Sequence, residues 1–137
     1  MKQDVLSFQK SVMPCVEFNL SDAQKEELHL EKEGKTKQAL SIKGGVNDPK
    51  NPDFVKIILD LSLCSEREEL KLHIVQEDLY EIVTEEKAMP EIADAMRTEA
   101  IPESYKRLSS FVRYLTAKAG GEALKMPSYS ELVAKNS

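Results

Sequence analysis

The spacing of apolar residues changes once along this chain, near residue 86, and that change confines it to a small set of folds. Ahead of it, hydrophobic side chains alternate with period two, as in half-buried strands; behind it they recur every three or four residues, as on a helix face. Val55, Ile57, Leu59, Leu61 and Leu63 alternate without a break against Lys56, Asp60 and Ser62, the clearest strand signal in the sequence and the mark of a central strand. Leu6, Phe8, Val12, Val16, Phe18 and Leu20 share one parity in a longer first strand. Pro14 falls inside it, and because proline cannot donate to a ladder it predicts an edge position or a bulge.

The remaining strands are shorter. Leu40 and Ile42 face together in a second strand that Gly44-Gly45 is expected to end, and the turn-rich stretch from Asn47 to Asp53 predicts a loose hairpin into the third. A turn at Ser65-Glu66-Arg67-Glu68 leads to Leu70, Leu72 and Ile74, after which Glu77-Asp78 breaks the parity ahead of Leu79, Tyr80, Ile82 and Val83. This predicts a bulge or bend in the fourth strand. Only the first connection is long: residues 21–37 are almost wholly charged or polar and read as a solvated crossover. Short turns favour an antiparallel sheet over βαβ units.

In the helical half, Pro90 suits a first helical position, with Ile92, Ala95 and Met96 behind it. Pro102 opens the main helix, expected to reach about Ala119, where Gly120 supplies a left-handed stop. Tyr105, Leu108, Val112, Leu115 and Ala119 make one apolar stripe. Phe111 and Tyr114 widen it enough to pack on two sides, while Lys106, Arg107, Arg113 and Lys118 lie off it. Ser128 and Glu131 form an S-x-x-E capping box behind Pro127, predicting a helix over Tyr129–Lys135. The fold expected is α+β: a four-stranded antiparallel sheet with a long and a short C-terminal helix packed on one face. The 137 residues, 41% of them hydrophobic, suit a single domain over 1–137 with one core.

Nineteen basic residues against twenty-four acidic ones leave a formal charge of −5, the wrong sign for gripping nucleic acid. No apolar run approaches the ~20 residues of a membrane span, and the opening residues lack a signal-peptide core, so a cytoplasmic protein without membrane insertion is expected. Cys15 and Cys64 are too isolated for a disulfide framework and read as free thiols in or beside strands. With only His29 and His73 available, and His29 in the charged crossover, no catalytic triad is expected. Metal-ligand spacings and phosphate-binding glycine motifs are absent, so neither metal nor cofactor is expected, and the chain does not read as an enzyme. Met89, Met96 and Met126 lie in the helical half. Flexible thioethers suit a surface that accepts many apolar partners, although ordinary core filling accounts for them as well. Leu124, Met126 and Tyr129 sit in an apolar loop between helices, expected to stay exposed for a partner.

Taken in order, these elements resemble the SecB family of export chaperones over nearly the whole chain. The stretch from Ala123 to Leu132 is similar to the family's L-x-x-P-[VIP]-[ND]-F-x-x-L helix entry; Val16-Glu17-Phe18 is similar to the end of its first strand, and Val75-Gln76 before Glu77-Asp78 to its V-Q-x-G-x-F bend. The resemblance implies a homo-oligomer, a dimer of dimers with helices between two sheets, that holds unfolded polypeptide clients in apolar grooves without ATP. Phe18, Leu20, Met89, Met96, Leu124, Met126 and Tyr129 are the residues expected to bind them. Family members dock on the SecA motor through acidic side chains, and the corresponding positions here, Cys15, Asn19 and Ile74, are not acidic, which places SecA docking in doubt. A dedicated client, such as a toxin–antitoxin pair, then fits better than general protein export. The alternative is an oligomeric adaptor, for instance a toxin–antitoxin or mobile-element accessory protein, that binds one folded partner.

Overall fold

A computed structural model of the chain describes residues 5–20, 36–65, 70–85, 87–118, 124 and 126–135, with the side chains of 20, 36, 37, 65, 70 and 135 set aside. The charged crossover, the turn after Ser65 and the glycine stop at Gly120 lie outside the described residues. Four strands, β1 (Leu6–Leu20), β2 (Thr36–Val46), β3 (Phe54–Ser65) and β4 (Leu70–Ile82), form one sheet in the order β1-β4-β3-β2 with antiparallel neighbours throughout. Three α-helices follow: α1 (Met89–Ala95), α2 (Ile101–Lys118) and α3 (Tyr129–Lys135).

β3 pairs on both sides without a register shift, as its unbroken alternation requires. Its five inward side chains are at most 3% exposed and share one core with Ile92, Ala100, Tyr105, Leu108 and Val112 from the helices. At roughly 1.5–3 kcal/mol for each fully buried aliphatic side chain, β3 alone contributes on the order of 10 kcal/mol before conformational entropy is subtracted.

Three sequence expectations about the sheet are corrected. β4 carries no bulge. Its ladder with β3 runs unbroken from Leu72 opposite Leu63 to Tyr80 opposite Val55, and Gln76 and Asp78 continue the inward series as buried polar residues, both 0% exposed. The parity seemed broken only because two core positions are hydrophilic. The irregularities sit instead in β1, between Phe8 and Lys10 and between Val12 and Cys15, the second interval containing Pro14. Proline at an edge strand and at a bulge is what its missing N–H demands. The first bulge moves Ser11 to the inner face opposite Asp78 and puts Val12 opposite Glu77 on the outer face, so Val12 leaves the set it was assigned to. Gly44-Gly45 does not end β2, which continues to Val46. Gly44 is there for closeness: a Cβ at that position would lie 3.1 Å from Ile57 Cδ1 and 3.3 Å from Met96 Sδ. The hairpin loop forms as expected, Asn47 Oδ1 accepting from the N–H groups of Asp53 and Phe54, each at 2.9 Å.

The helical run begins earlier than Pro102. α1 starts at Met89 with Pro90 in its first turn, and a π turn (Met96–Ala100) joins it directly to α2. The Ile101 N–H reaches back five residues to Met96 O. Pro102 has no N–H to donate and its ring crowds the preceding turn of a regular helix, and a widened turn just before it relieves both problems. Over α3 the expected capping holds: Ser128 Oγ accepts from the Glu131 N–H at 3.2 Å.

Candidate functional site

The helices cover the sheet unevenly. On the inner face of β1, Phe8 remains 41% and Val16 42% exposed, with Met13 and Phe18 half-buried beside them. β1 is the edge strand farthest from β2; Leu6, Met13 and Phe18 pack partly against the core, and a polar network also joins this strand to α2. Asp78, fully buried on β4, takes a hydrogen bond from Arg107 Nε of α2 at 2.9 Å, one from Gln76 Nε2 at 3.2 Å, and one from Ser11 Oγ of β1. Arg107 also donates to the Tyr80 hydroxyl and to Glu103 Oε1, the latter at 2.8 Å, and its guanidinium carbon stands 3.9 Å from the centre of the Phe8 ring. A buried carboxylate needs such partners. Beside this network Phe8 and Val16 stay more than two-fifths exposed.

Carboxylates rim the opening. A cleft of about 330 Å³ lies between Leu6, Phe8 and Tyr80 on the sheet and Glu99, Ala100 and Glu103 on the helices. A neighbouring cleft of about 410 Å³ sets Val5 against Glu91, Asp94 and Glu99. Asp94 is paired with Arg97 at 2.9 Å and Glu103 with Arg107 at 2.8 Å, so the negative charge that suits a basic hydrophobic segment here comes from Glu91 and Glu99.

The residues expected from sequence to bind polypeptide divide into two groups. Phe18 lies on the open face of β1; the side chain of Leu20 lies outside the described residues. Met89 is 39% exposed at the start of α1, and Met96 is half-buried against Gly44. Leu124 and Met126 are buried at 7% and 9%, so the segment before α3 is not the exposed apolar loop that was expected. It folds onto α2: the Leu124 N–H donates to Thr116 Oγ1 at 2.8 Å, and the Tyr105 hydroxyl donates to Pro127 O at 2.6 Å. Burial pushes the Tyr105 hydroxyl up to about 12, with the Glu131 charge adding to the shift. Tyr129 is half-buried, its ring 5.8 Å from that of Tyr105. Arg107, read as lying off the helix stripe, is the residue that spans from α2 to β1.

The outer face of the sheet holds a second constellation. Cys15 and Glu17 on β1 lie beside His73 on β4, with Cys15 Sγ 3.7 Å from His73 Nδ1 and 3.9 Å from Glu17 Oε1. His73 Nε2 is 2.8 Å from Asp60 Oδ1 of β3. Partial desolvation and then the Glu17 and Asp60 charges hold the Cys15 thiol above its ordinary range. Asn19 shares this face, whereas Ile74 points into the core and is 0% exposed, out of reach of any docking partner.

No family model and no curated protein sequence matches the chain. Among solved structures, its fold is similar to that of the SecB-like chaperone Rv1957 of Mycobacterium tuberculosis, in complex with a ChAD peptide from the HigA1 antitoxin: TM-score 0.67, 11% identity, over 90% of this chain and 87% of that one. A protein of unknown function from Streptococcus agalactiae aligns with TM-score 0.48 and 9% identity, over 89% of this chain and 96% of that one. The sheet with its helices on one face is thus a SecB-like α+β fold. Among the described residues, no helix is long and apolar enough to cross a membrane.

Proposed function

We propose that this SecB-like chain is an ATP-independent holdase, which binds non-native polypeptide along the inner face of β1 and acts without a catalytic step. The observation that carries the reading is the apolar row Phe8, Val16 and Phe18, of which Phe8 and Val16 stay more than two-fifths exposed on a face where the inward residues of β3 and β4 are buried. Each of these side chains is already more than half buried, so covering the remainder gains only about 1 kcal/mol apiece. Useful affinity then needs several such contacts at once, which an extended client supplies along a strand and which repeated subunits multiply.

The chain works as a homo-oligomer, a dimer of dimers, whose assembly covers part of this surface and lengthens the rest into a groove. Its clients are hydrophobic segments with net positive charge, matched to Glu91 and Glu99 at the rim. The structural neighbour's bound antitoxin peptide supports a dedicated client over a general export role. The test is light scattering from several unrelated denatured proteins with the purified chain present. Suppressed aggregation across the set is expected; no suppression, with capture of a single native partner, would make the protein an adaptor instead.

A further inference from the structure

We propose that Cys15, Glu17 and His73, on the outer face of the sheet, form a binding site for one zinc ion. Their ligand atoms all lie within 4.8 Å of one another. Tetrahedral zinc with Zn–S of ~2.3 Å and Zn–N or Zn–O of ~2.0–2.1 Å sets its ligand atoms about 3.5 Å apart along each edge. The sulfur here stands 3.7 Å from the imidazole nitrogen and 3.9 Å from the carboxylate oxygen, so small side-chain rotations close the site.

Two features beyond proximity point to a metal. The donors are one thiol, one imidazole and one carboxylate, a set that suits zinc and does not suit calcium or magnesium, which take oxygen ligands. His73 uses its far nitrogen to contact Asp60 at 2.8 Å, the carboxylate–histidine pairing that fixes the orientation of a metal-binding imidazole. None of this is legible as spacing in the chain, because Cys15 and His73 are 58 residues apart and meet only through the β1–β4 ladder.

Three protein ligands leave the fourth position to water. The ion would fasten β1 to β4 just beyond the Pro14 bulge, on the side of the strand opposite Val16 and Phe18. It therefore stiffens the strand that carries the open apolar row, but metal binding itself depends on no client, and its test stands apart from the holdase reading.

The test is titration of metal-stripped full-length protein with cobalt(II) and then zinc. One equivalent of cobalt should bind with the visible spectrum of a tetrahedral site and a thiolate-to-cobalt band in the near ultraviolet, and zinc should displace it. Cys15→Ser should abolish the thiolate band, Asp60→Asn should weaken zinc about 10–100-fold while keeping the spectrum, and Cys64→Ser should change neither. An octahedral cobalt spectrum, a thiolate band that survives Cys15→Ser or vanishes in Cys64→Ser, or no stoichiometric binding by the wild-type protein would each overturn the proposal. The wild-type and Cys64→Ser titrations decide it even if Cys15→Ser does not fold.

Discussion

Replacing Arg107 by alanine leaves the Asp78 carboxylate at 0% exposure without its only cationic partner among the described contacts. Removing one member of a buried ion pair costs about 3–5 kcal/mol, because the remaining charge keeps its desolvation penalty and loses its compensation. Asp78 still accepts from Ser11 Oγ and Gln76 Nε2, so the lower end applies, about 3 kcal/mol. With a urea dependence of about 1–3 kcal/mol per molar for a small domain, the unfolding midpoint followed by far-UV circular dichroism should fall by about 1–3 M. Variant and wild type must be compared at equal protein concentration, since self-association adds to apparent stability. Arg107 also stacks on the exposed Phe8 ring, worth roughly 0.5–1 kcal/mol, and Phe8→Leu measures that part separately. Replacing both charges, as Asp78→Leu with Arg107→Met, should cost less than Arg107→Ala alone. A midpoint shift below about 0.3 M for Arg107→Ala, or a double variant worse than the single one, would refute the view that a desolvated carboxylate organises the gap between α2 and β1.

Tyr105, 2% exposed, has its hydroxyl raised from 10.0 to about 12, so between those values the unfolded chain releases a proton that the folded chain keeps. Its contribution is complete below pH 10 and is lost as pH rises toward 12, a fall of up to roughly 2–3 kcal/mol in thermal or urea unfolding that Tyr105→Phe should flatten. Gly44→Val should destabilise by about 1–3 kcal/mol, since even a Cβ at that position meets Ile57 and Met96, whereas Gly45→Ala, with nothing within 4 Å, should be tolerated. Equal melting temperatures for the two glycine variants would contradict the placement of β2.

Most of the fold was readable because burial and secondary structure impose the same periodicity on residue choice. The alternation from Val55 to Leu63 announced a central strand, Pro14 announced an edge with a bulge, and Ser128 with Glu131 announced α3 to the residue. The misreadings come from features that local periodicity does not register: a polar residue whose partners lie far away in sequence, and a bulge that shifts the count. Glu77-Asp78 reads as a break in β4 because Arg107, 29 residues beyond Asp78, makes a carboxylate tolerable inside. Val12 was assigned by counting in twos across a bulge, which shifts the count by one. Leu124 and Met126 looked exposed because their burial depends on the Thr116 and Tyr105 hydroxyls holding the segment against α2. Phe8, Val16 and Phe18 were visible as inward-facing, but whether a helix lies over them is a matter of helix placement, which local periodicity does not encode.

The row on β1 is the part of the molecule on which the functional reading turns. Fluorescence anisotropy of a labelled, permanently unfolded polypeptide, titrated with wild-type protein and with the Phe8→Ser/Val16→Ser double variant, tests it directly. Both side chains are more than two-fifths exposed, so the variant should keep its fold and oligomeric state. Its client affinity should fall at least tenfold, about 1.4 kcal/mol. Undiminished binding by a folded variant would place the client elsewhere and contradict the account.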